Sequence, residues 1–299
     1  MPRSATAGGG YGKGSDMDGH RTAVIDVGGG FRGVYAAGVL DRVMDLSIAF
    51  DHCYGVSAGS ANLSSYLAGQ PGRTYRFYSV YSARKEYASP SNYVKGHNFA
   101  DLDYVYGTLS NSDGEYPLDF PAMEANPAAF TVVAMDARTG HARYFDKSDI
   151  HQDDYAVMKA SSSVPVANQP YVIDGVPYYD GGMADPIPVR KALQDGADKV
   201  VIVLTRQRDF HRSPKPDALP ARILARTYPK AAESLRNRYR TYNEQLDLAH
   251  TLESEGKVLI VAPDELCGLN TLNRNQEGLE RMYRKGYADG AAIQAFLRG

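Results

Sequence analysis

The stretch Gly55-Val56-Ser57-Ala58-Gly59 constrains this chain more than any other. It follows the apolar run Ile48-Ala49-Phe50 and precedes a helix-like segment over 60–68, so the pattern predicts a strand, a sharp turn and a helix. Gly55 and Gly59 flank the serine because such a turn presses the backbone against its neighbours, where a β-carbon would clash. A serine held at the apex of that turn is a candidate nucleophile for acyl transfer. Glycine and serine are also common loop residues, so the reading of Ser57 depends on what the fold brings beside it.

Two further glycine motifs bear on that question. Residues 22–27 have the pattern of a short buried strand and run into Gly28-Gly29-Gly30-Phe31-Arg32-Gly33, after which 34–44 has helical spacing through Val34, Ala37, Leu40 and Met44. Successive glycines at a helix N-terminus let backbone N–H groups converge on negative charge. Facing Ser57, the loop would stabilise the oxyanion of a tetrahedral acyl intermediate, with Arg32 holding the loop or adding positive charge. The same residues also fit a dinucleotide fingerprint, Gly28-x-Gly30-x-x-Gly33, with Asp51 near the place of a ribose-binding acid, or a turn that needs glycine for packing alone. Downstream, 171–173 and 176–179 flank Asp174-Gly175 as a hairpin, with Pro177 arguing for an edge position. Asp180 then ends a strand ahead of Gly181 and Gly182. A carboxylate there can accept a serine proton, although Asp-Gly is also an ordinary turn dipeptide.

Taken together, a Gly-rich loop with arginine, then G-x-S-x-G, then Asp-Gly-Gly resembles the patatin-like phospholipase family, which pairs serine with aspartate directly and uses no histidine. Ala160-Ser161-Ser162-Ser163-Val164-Pro165 and Ile187-Pro188 extend the resemblance, which runs from residue 22 to about 205. It implies a three-layer α/β/α domain with a mostly parallel central sheet. Ser57 would be the nucleophile, Asp180 the proton acceptor, and Gly28, Gly29, Gly30, Arg32 and Gly33 the oxyanion loop, supported by Gly55, Gly59, Gly181 and Gly182. The substrates implied are lipid or other fatty-acyl esters, with no metal or organic cofactor. The chain looks most like bacterial single-domain members, which divides it into a Gly-rich tail (1–20), a catalytic core (21–210) and a mainly helical C-terminal extension packed on the same domain (211–299). A Ser-His-Asp esterase is the rival within hydrolases. Its candidate base, His211, follows the apolar strand 200–204 in the right chain order but sits in the polar run 206–214, and His97 and His141 have weaker cases.

Bulk properties narrow the partners. An apolar content of 43% in 299 residues supports one large α/β core. A net charge of −2 and a pI near 6.4 exert no pull toward nucleic acid. The two cysteines, Cys53 and Cys267, lack metal-ligand spacing, which fits a reducing compartment. No apolar run is long enough to span a bilayer and 1–20 lacks the core of a secretory signal, so the expectation is a cytoplasmic protein that meets lipid from outside. Gly8 to Gly14 suggest a mobile tail.

The remaining pattern alternates strands with helices: strands at 129–135, 141–145, 199–204 and 257–261, and helices at 154–162, 231–252 and 276–297. Nine tyrosines between 66 and 116 (66, 75, 78, 81, 87, 93, 104, 106 and 116) suit either the mouth of an amphipathic site or half-buried cover on helices. Arg222, Arg226, Lys230, Arg236, Arg238 and Arg240 face only Glu233 within 221–240. That excess is either a solvated helix face or a peripheral contact for an anionic membrane, where each basic residue contributes about 1 kcal/mol.

Overall fold

The computed structural model describes residues 19–87, 98, 100–272 and 275–299; most of the expected tail, Tyr93 and His97 lie outside them. Among these residues the strands are β1 (Thr22–Asp26), β2 (His52–Val56), β3 (Ala129–Asp136), β4 (Ala142–Phe145), β5 (Tyr171–Ile173), β6 (Val176–Asp180), β7 (Lys199–Val203) and β8 (Val258–Val261). The α-helices are α1 (Val34–Asp45), α2 (Ala58–Leu67), α3 (Arg73–Ser79), α4 (Phe120–Ala125), α5 (Ala156–Ser162), α6 (Val189–Gln194), α7 (Lys215–Leu224), α8 (Pro229–Ser254), α9 (Gln276–Asp289) and α10 (Ala292–Arg298).

All five side chains of β1 are buried, as a strand covered on both faces requires. It lies between β2 and β7, and both pairings are parallel. The sheet order is β5-β6-β3-β2-β1-β7-β8, with β4 also on β3. Pairing is parallel from β3 through β8, while β4 and β6 run antiparallel to β3 and β5 antiparallel to β6. The alternation within β1 separates two cores. Val24 packs with α1 and α2 residues such as Val39, Leu40, Leu63 and Leu67. Ala23 and Ile25 face the other way, onto Val189 and Ala192 of α6 and Tyr242, Leu246 and Ala249 of α8. The result is a three-layer α/β arrangement around a mostly parallel sheet.

Three local expectations are corrected. The strand before Gly55 is not at 48–50 but at His52–Val56, because the Asp51 carboxylate accepts from the Thr22 N–H (2.7 Å) and hydroxyl (2.9 Å) and sets where pairing with β1 begins. Pro177 sits in β6, which is flanked by β5 and β3 and is not an edge strand. The proline is tolerated there because pairing with β3 stops at Tyr178, and only the Pro177 carbonyl is used, by the Ala137 N–H at 2.9 Å. The expected helix over 276–297 breaks at Gly290, where tight turns such as Ile293 N–H to Gly290 O (3.2 Å) redirect the chain so that Ile293 and Leu297 are buried.

The C-terminal helix α9 crosses α1 at backbone contact. A β-carbon on Gly38 would lie 2.1 Å from the Tyr283 carbonyl oxygen, and one on Gly286 would lie 2.0 Å from that of Tyr35. The Tyr35 hydroxyl donates to Asp289 and the Tyr283 hydroxyl to Asp41, both at 2.7 Å. Gly286→Ala must push the helices apart, so urea denaturation should show a loss of at least about 1–3 kcal/mol. Unchanged stability would mean that this crossing is looser than described.

Candidate active site

Strand β2 ends at Val56, and the next residue turns sharply. Ser57 has φ 56° and ψ −130°, a backbone region that costs a non-glycine residue about 1–3 kcal/mol and persists only when its surroundings fix it. Its N–H donates to the Ser161 hydroxyl (2.8 Å), which in turn donates to the Val133 carbonyl (2.6 Å). Its carbonyl accepts from the Ser60 hydroxyl (2.7 Å) and N–H (3.0 Å). The serine thus stands at the N-terminus of α2, where the helix dipole favours developing negative charge.

Asp180 arrives from the end of β6. Its Oδ1 accepts from the Gly182 N–H at 2.8 Å, and the Ser57 side chain lies close enough to favour the ionised form of the same carboxylate. Burial raises the Asp180 pKa above the ordinary carboxylate value, opposed by the nearby Arg238 charge, the Ser57 side chain, the Gly182 hydrogen bond and Arg212. Both members are shielded from water, with Ser57 8% and Asp180 4% exposed. Gly181 packs on Val133, and Gly182 lies between the carboxylate and Arg238.

The glycine loop reaches the same place. Gly28, at φ +65°, lies so close to the serine turn that a β-carbon would come within 2.2 Å of the Val56 carbonyl. Its N–H is committed to Asp26 (2.9 Å), and its carbonyl accepts from Thr205. Gly29, Gly30, Arg32 and Ala58 line the cavity that contains Ser57, and no hydrogen-bond acceptor for the N–H of Gly29 or Gly30 occurs among the described residues. Arg32 is 5% exposed and donates through Nη1 to the Thr271 hydroxyl at 3.0 Å. Gly33 opens α1 and its carbonyl takes the Asn62 amide at 3.0 Å, so it shapes the loop from behind. Gly55 packs against Ser60 and Gly59 against Asp26, locking β2, α2 and the end of β1 together.

The cavity measures about 890 Å³ and is lined from both faces of the sheet. Aromatic and aliphatic side chains including Phe77, Tyr78, Tyr81, Tyr106, Leu109 and Met158 come from the α1–α3 and α5 side. Arg206, Arg212, Arg238, Asp217 and Tyr242 come from the loop after β7 and from α7 and α8. Of the nine tyrosines, 78, 81, 87, 106 and 116 line this space.

Several expected residues go elsewhere. Asp51 is at the opposite end of β2 from Ser57 and serves Thr22, so it cannot greet a ribose beside the glycine loop. His211 lines the cavity rim with its side chain about half exposed; its Nε2 pairs with Asp247 at 3.0 Å and its Nδ1 with the Asp209 carbonyl at 3.2 Å, with no hydrogen bond to Ser57 among the described contacts. His141 is exposed. Of the basic run, Arg222, Arg226, Lys230, Arg236 and Arg240 are exposed, but Arg238 points inward to the cavity. Cys53 is buried and Cys267 half-buried, both as thiols. Among the described residues, no three His, Cys, Asp or Glu side chains cluster as a metal site, and no helix is long and apolar enough to cross a membrane.

Other side chains that hold the candidate site together carried weaker signals. Asp26, the last residue of β1, accepts from the Gly28 N–H and from the Asn62 amide (2.7 Å), tying the glycine loop to α2. Ser161 lies in the Ala-Ser segment singled out above, but no local pattern says that its hydroxyl holds the Ser57 N–H. Arg206, Arg212 and Arg238 converge only in three dimensions.

The chain is similar to several known proteins. Residues 27–193 match the family described as patatin-like phospholipase, and residues 228–297 match a domain of unknown function, DUF6363. The uncharacterized protein YjjU of Escherichia coli K12 is 32% identical over 216 residues, 65% of this chain but only 55% of that relative. VipD from Legionella pneumophila superposes over 92% of this chain and 67% of its own, with a TM-score of 0.47 and 14% identity.

The Asp26 pair generates a pH-dependent prediction. Burial raises its pKa from 3.8 to about 6, despite the Gly28 and Asn62 hydrogen bonds that pull it down. A carboxyl whose pKa is higher folded than unfolded contributes stability at low pH that is lost as pH rises through the folded value. Asn62→Ala removes one of the groups that hold the ionised form. Its destabilisation should therefore be larger at pH 8 than at pH 5, reaching about 1–3 kcal/mol in urea titrations. Equal losses at the two pH values would contradict this role.

Proposed function

The chain belongs to the patatin-like phospholipase family, and from that premise we propose that it is a lipid acyl hydrolase working through a Ser57-Asp180 dyad. The observation that carries the reading is the Ser57 side chain set beside a buried carboxylate whose ionised form it favours, at a strained turn flanked by N–H groups without acceptors among the described residues. Asp180 takes the hydroxyl proton as Ser57 Oγ attacks the ester carbonyl. The oxyanion that forms is held by the N–H groups of Gly29 and Gly30 and by that of Ala58 at the start of α2, where each donor is worth on the order of a hundredfold to a thousandfold in rate. Collapse of the intermediate expels the alcohol, which receives the proton from Asp180. Water then attacks the acyl-serine with Asp180 as base and releases the fatty acid. The aromatic side of the cavity has the chemistry to receive an acyl chain.

Burial makes Asp180 more basic, while Arg238 favours its ionised form. The acid limb of kcat/KM should therefore follow a carboxyl titrating above the usual range. Arg238→Gln removes the largest opposing influence and should move that limb to higher pH; an unmoved limb would separate Arg238 from the base. On a fatty-acyl ester, Ser57→Ala and Asp180→Asn should each lower kcat by about 10⁴-fold or more, with His211→Ala keeping most of the activity. A folded but inactive His211→Ala protein would replace the dyad with a triad.

A further inference from the structure

Four guanidinium groups meet on the side of the cavity away from the aromatic lining: Arg32 from the glycine loop, Arg206 and Arg212 from the loop after β7, and Arg238 from α8. Their countercharge is thin. Asp217 pairs with Arg212 (3.3 Å) and lies 3.9 Å from Arg238, and Asp180 is the other acid lining the space. Even with both carboxylates ionised, the cluster keeps an excess of two positive charges. The Nε of all four arginines is shielded from water and has no hydrogen-bond partner. Their Nη groups are the donors left to meet a ligand in the cavity. Burial, and then the charges of Arg206, Arg212 and Arg238, push the Arg32 pKa down to about 9. Mutual repulsion of this kind is relieved by an anion. Two of the planes are already set by stacking, Arg206 over Phe210 with 4.3 Å to the ring centre and Arg212 over Tyr242 with 5.7 Å. Planar guanidiniums presented in this way suit bidentate recognition of phosphate oxygens.

We propose that this arginine cluster is a subsite for the phosphate of an acylated glycerol phosphate whose phosphate carries no cationic cap. The assignment rests on the hydrolase reading above and narrows its substrate. Ser57 and Asp180 line the same cavity as the aromatic side chains and the arginines, so a substrate with its chain among Phe77, Tyr81 and Leu109 and its ester at Ser57 has Arg206, Arg212 and Arg238 within the same space for its phosphate. A choline or ethanolamine cap finds no spare acid there, since Asp217 is taken by two arginines and Asp180 by Ser57 and Gly182. A phosphomonoester brings two charges to a site with an excess of two.

Binding and turnover test the subsite separately. In calorimetric titrations of the full chain carrying Ser57→Ala, glycerol 3-phosphate should bind saturably, glycerophosphocholine at least about tenfold more weakly, and Arg206→Gln/Arg212→Gln should cost glycerol 3-phosphate about tenfold or more. Circular dichroism and thermal melts establish that the double variant is folded; should it not fold, Arg212→Gln alone takes its place. In the active chain, the kcat/KM ratio of 1-oleoyl lysophosphatidate to 1-oleoyl lysophosphatidylcholine should favour the former and fall about tenfold in the same variant. Equal affinity for the choline-capped ligand, binding that survives the variant, or an unaltered ratio would overturn the proposal. Inorganic phosphate that binds as well as glycerol 3-phosphate, with no substrate preference, would make this a free-phosphate site and contradict the headgroup assignment. Binding of glycerol 3-phosphate by a chain that hydrolyses no acyl ester would leave the subsite standing and remove the hydrolase reading.

Discussion

A serine at φ 56° and ψ −130° is the constraint around which the rest of the fold is arranged. Left alone the chain would relax out of that conformation, so neighbours must over-determine it. The Ser161 hydroxyl on α5 takes the serine N–H and anchors it to β3, and Ser60 closes the first turn of α2 onto the serine carbonyl. Gly55 and Gly59 allow strand and helix to approach closely enough for these bonds to form. One backbone geometry therefore links two strands and two helices, and it leaves the hydroxyl facing Asp180.

The electrostatics follow from the same geometry. The serine turn lies at the carboxyl ends of the parallel strands, where β1 delivers Asp26 and the glycine loop and β7 delivers Thr205 and Arg206. Ser57 and Asp180 are themselves buried, so charges beside them act more strongly than they would in bulk water. Burial pushes Asp180 toward its neutral form and Arg238 pulls it back. The cavity is thus apolar on one side and, among the described residues, carries an excess of positive charge on the other.

What was legible in the sequence follows from the range of the interactions involved. Periodicity and turn chemistry located β1, α1, the β3–β4 pair and the β5–β6 hairpin, because these depend on neighbours within a few residues. Ser57, Asp180 and the glycine loop could be named because each sits in a short motif with a mechanical reason for its glycines. The start of β2 was misplaced because it is set by Asp51 reaching 29 residues back to Thr22. Pro177 misled for a similar reason, since its neighbours in the sheet come from elsewhere in the chain. Ser161 and Asn62 act on residues 104 and 36 positions away, and the arginine cluster joins Arg32 to arginines more than a hundred positions further along the chain; no local pattern encodes such partners. Arg238 shows the cost of reading locally: within its helix it looks like one more surface cation, yet it faces the buried carboxylate.

The most direct test of the account is the structure of the protein after reaction with a long-chain alkyl fluorophosphonate. The phosphonyl group should be bonded to Ser57 Oγ, with its free oxygen within hydrogen-bond distance of the Gly29 and Gly30 N–H groups and its alkyl chain along the aromatic lining. An adduct on another residue, or an oxygen directed away from the glycine loop, would contradict the claim that this turn, this carboxylate and these amides form one catalytic centre.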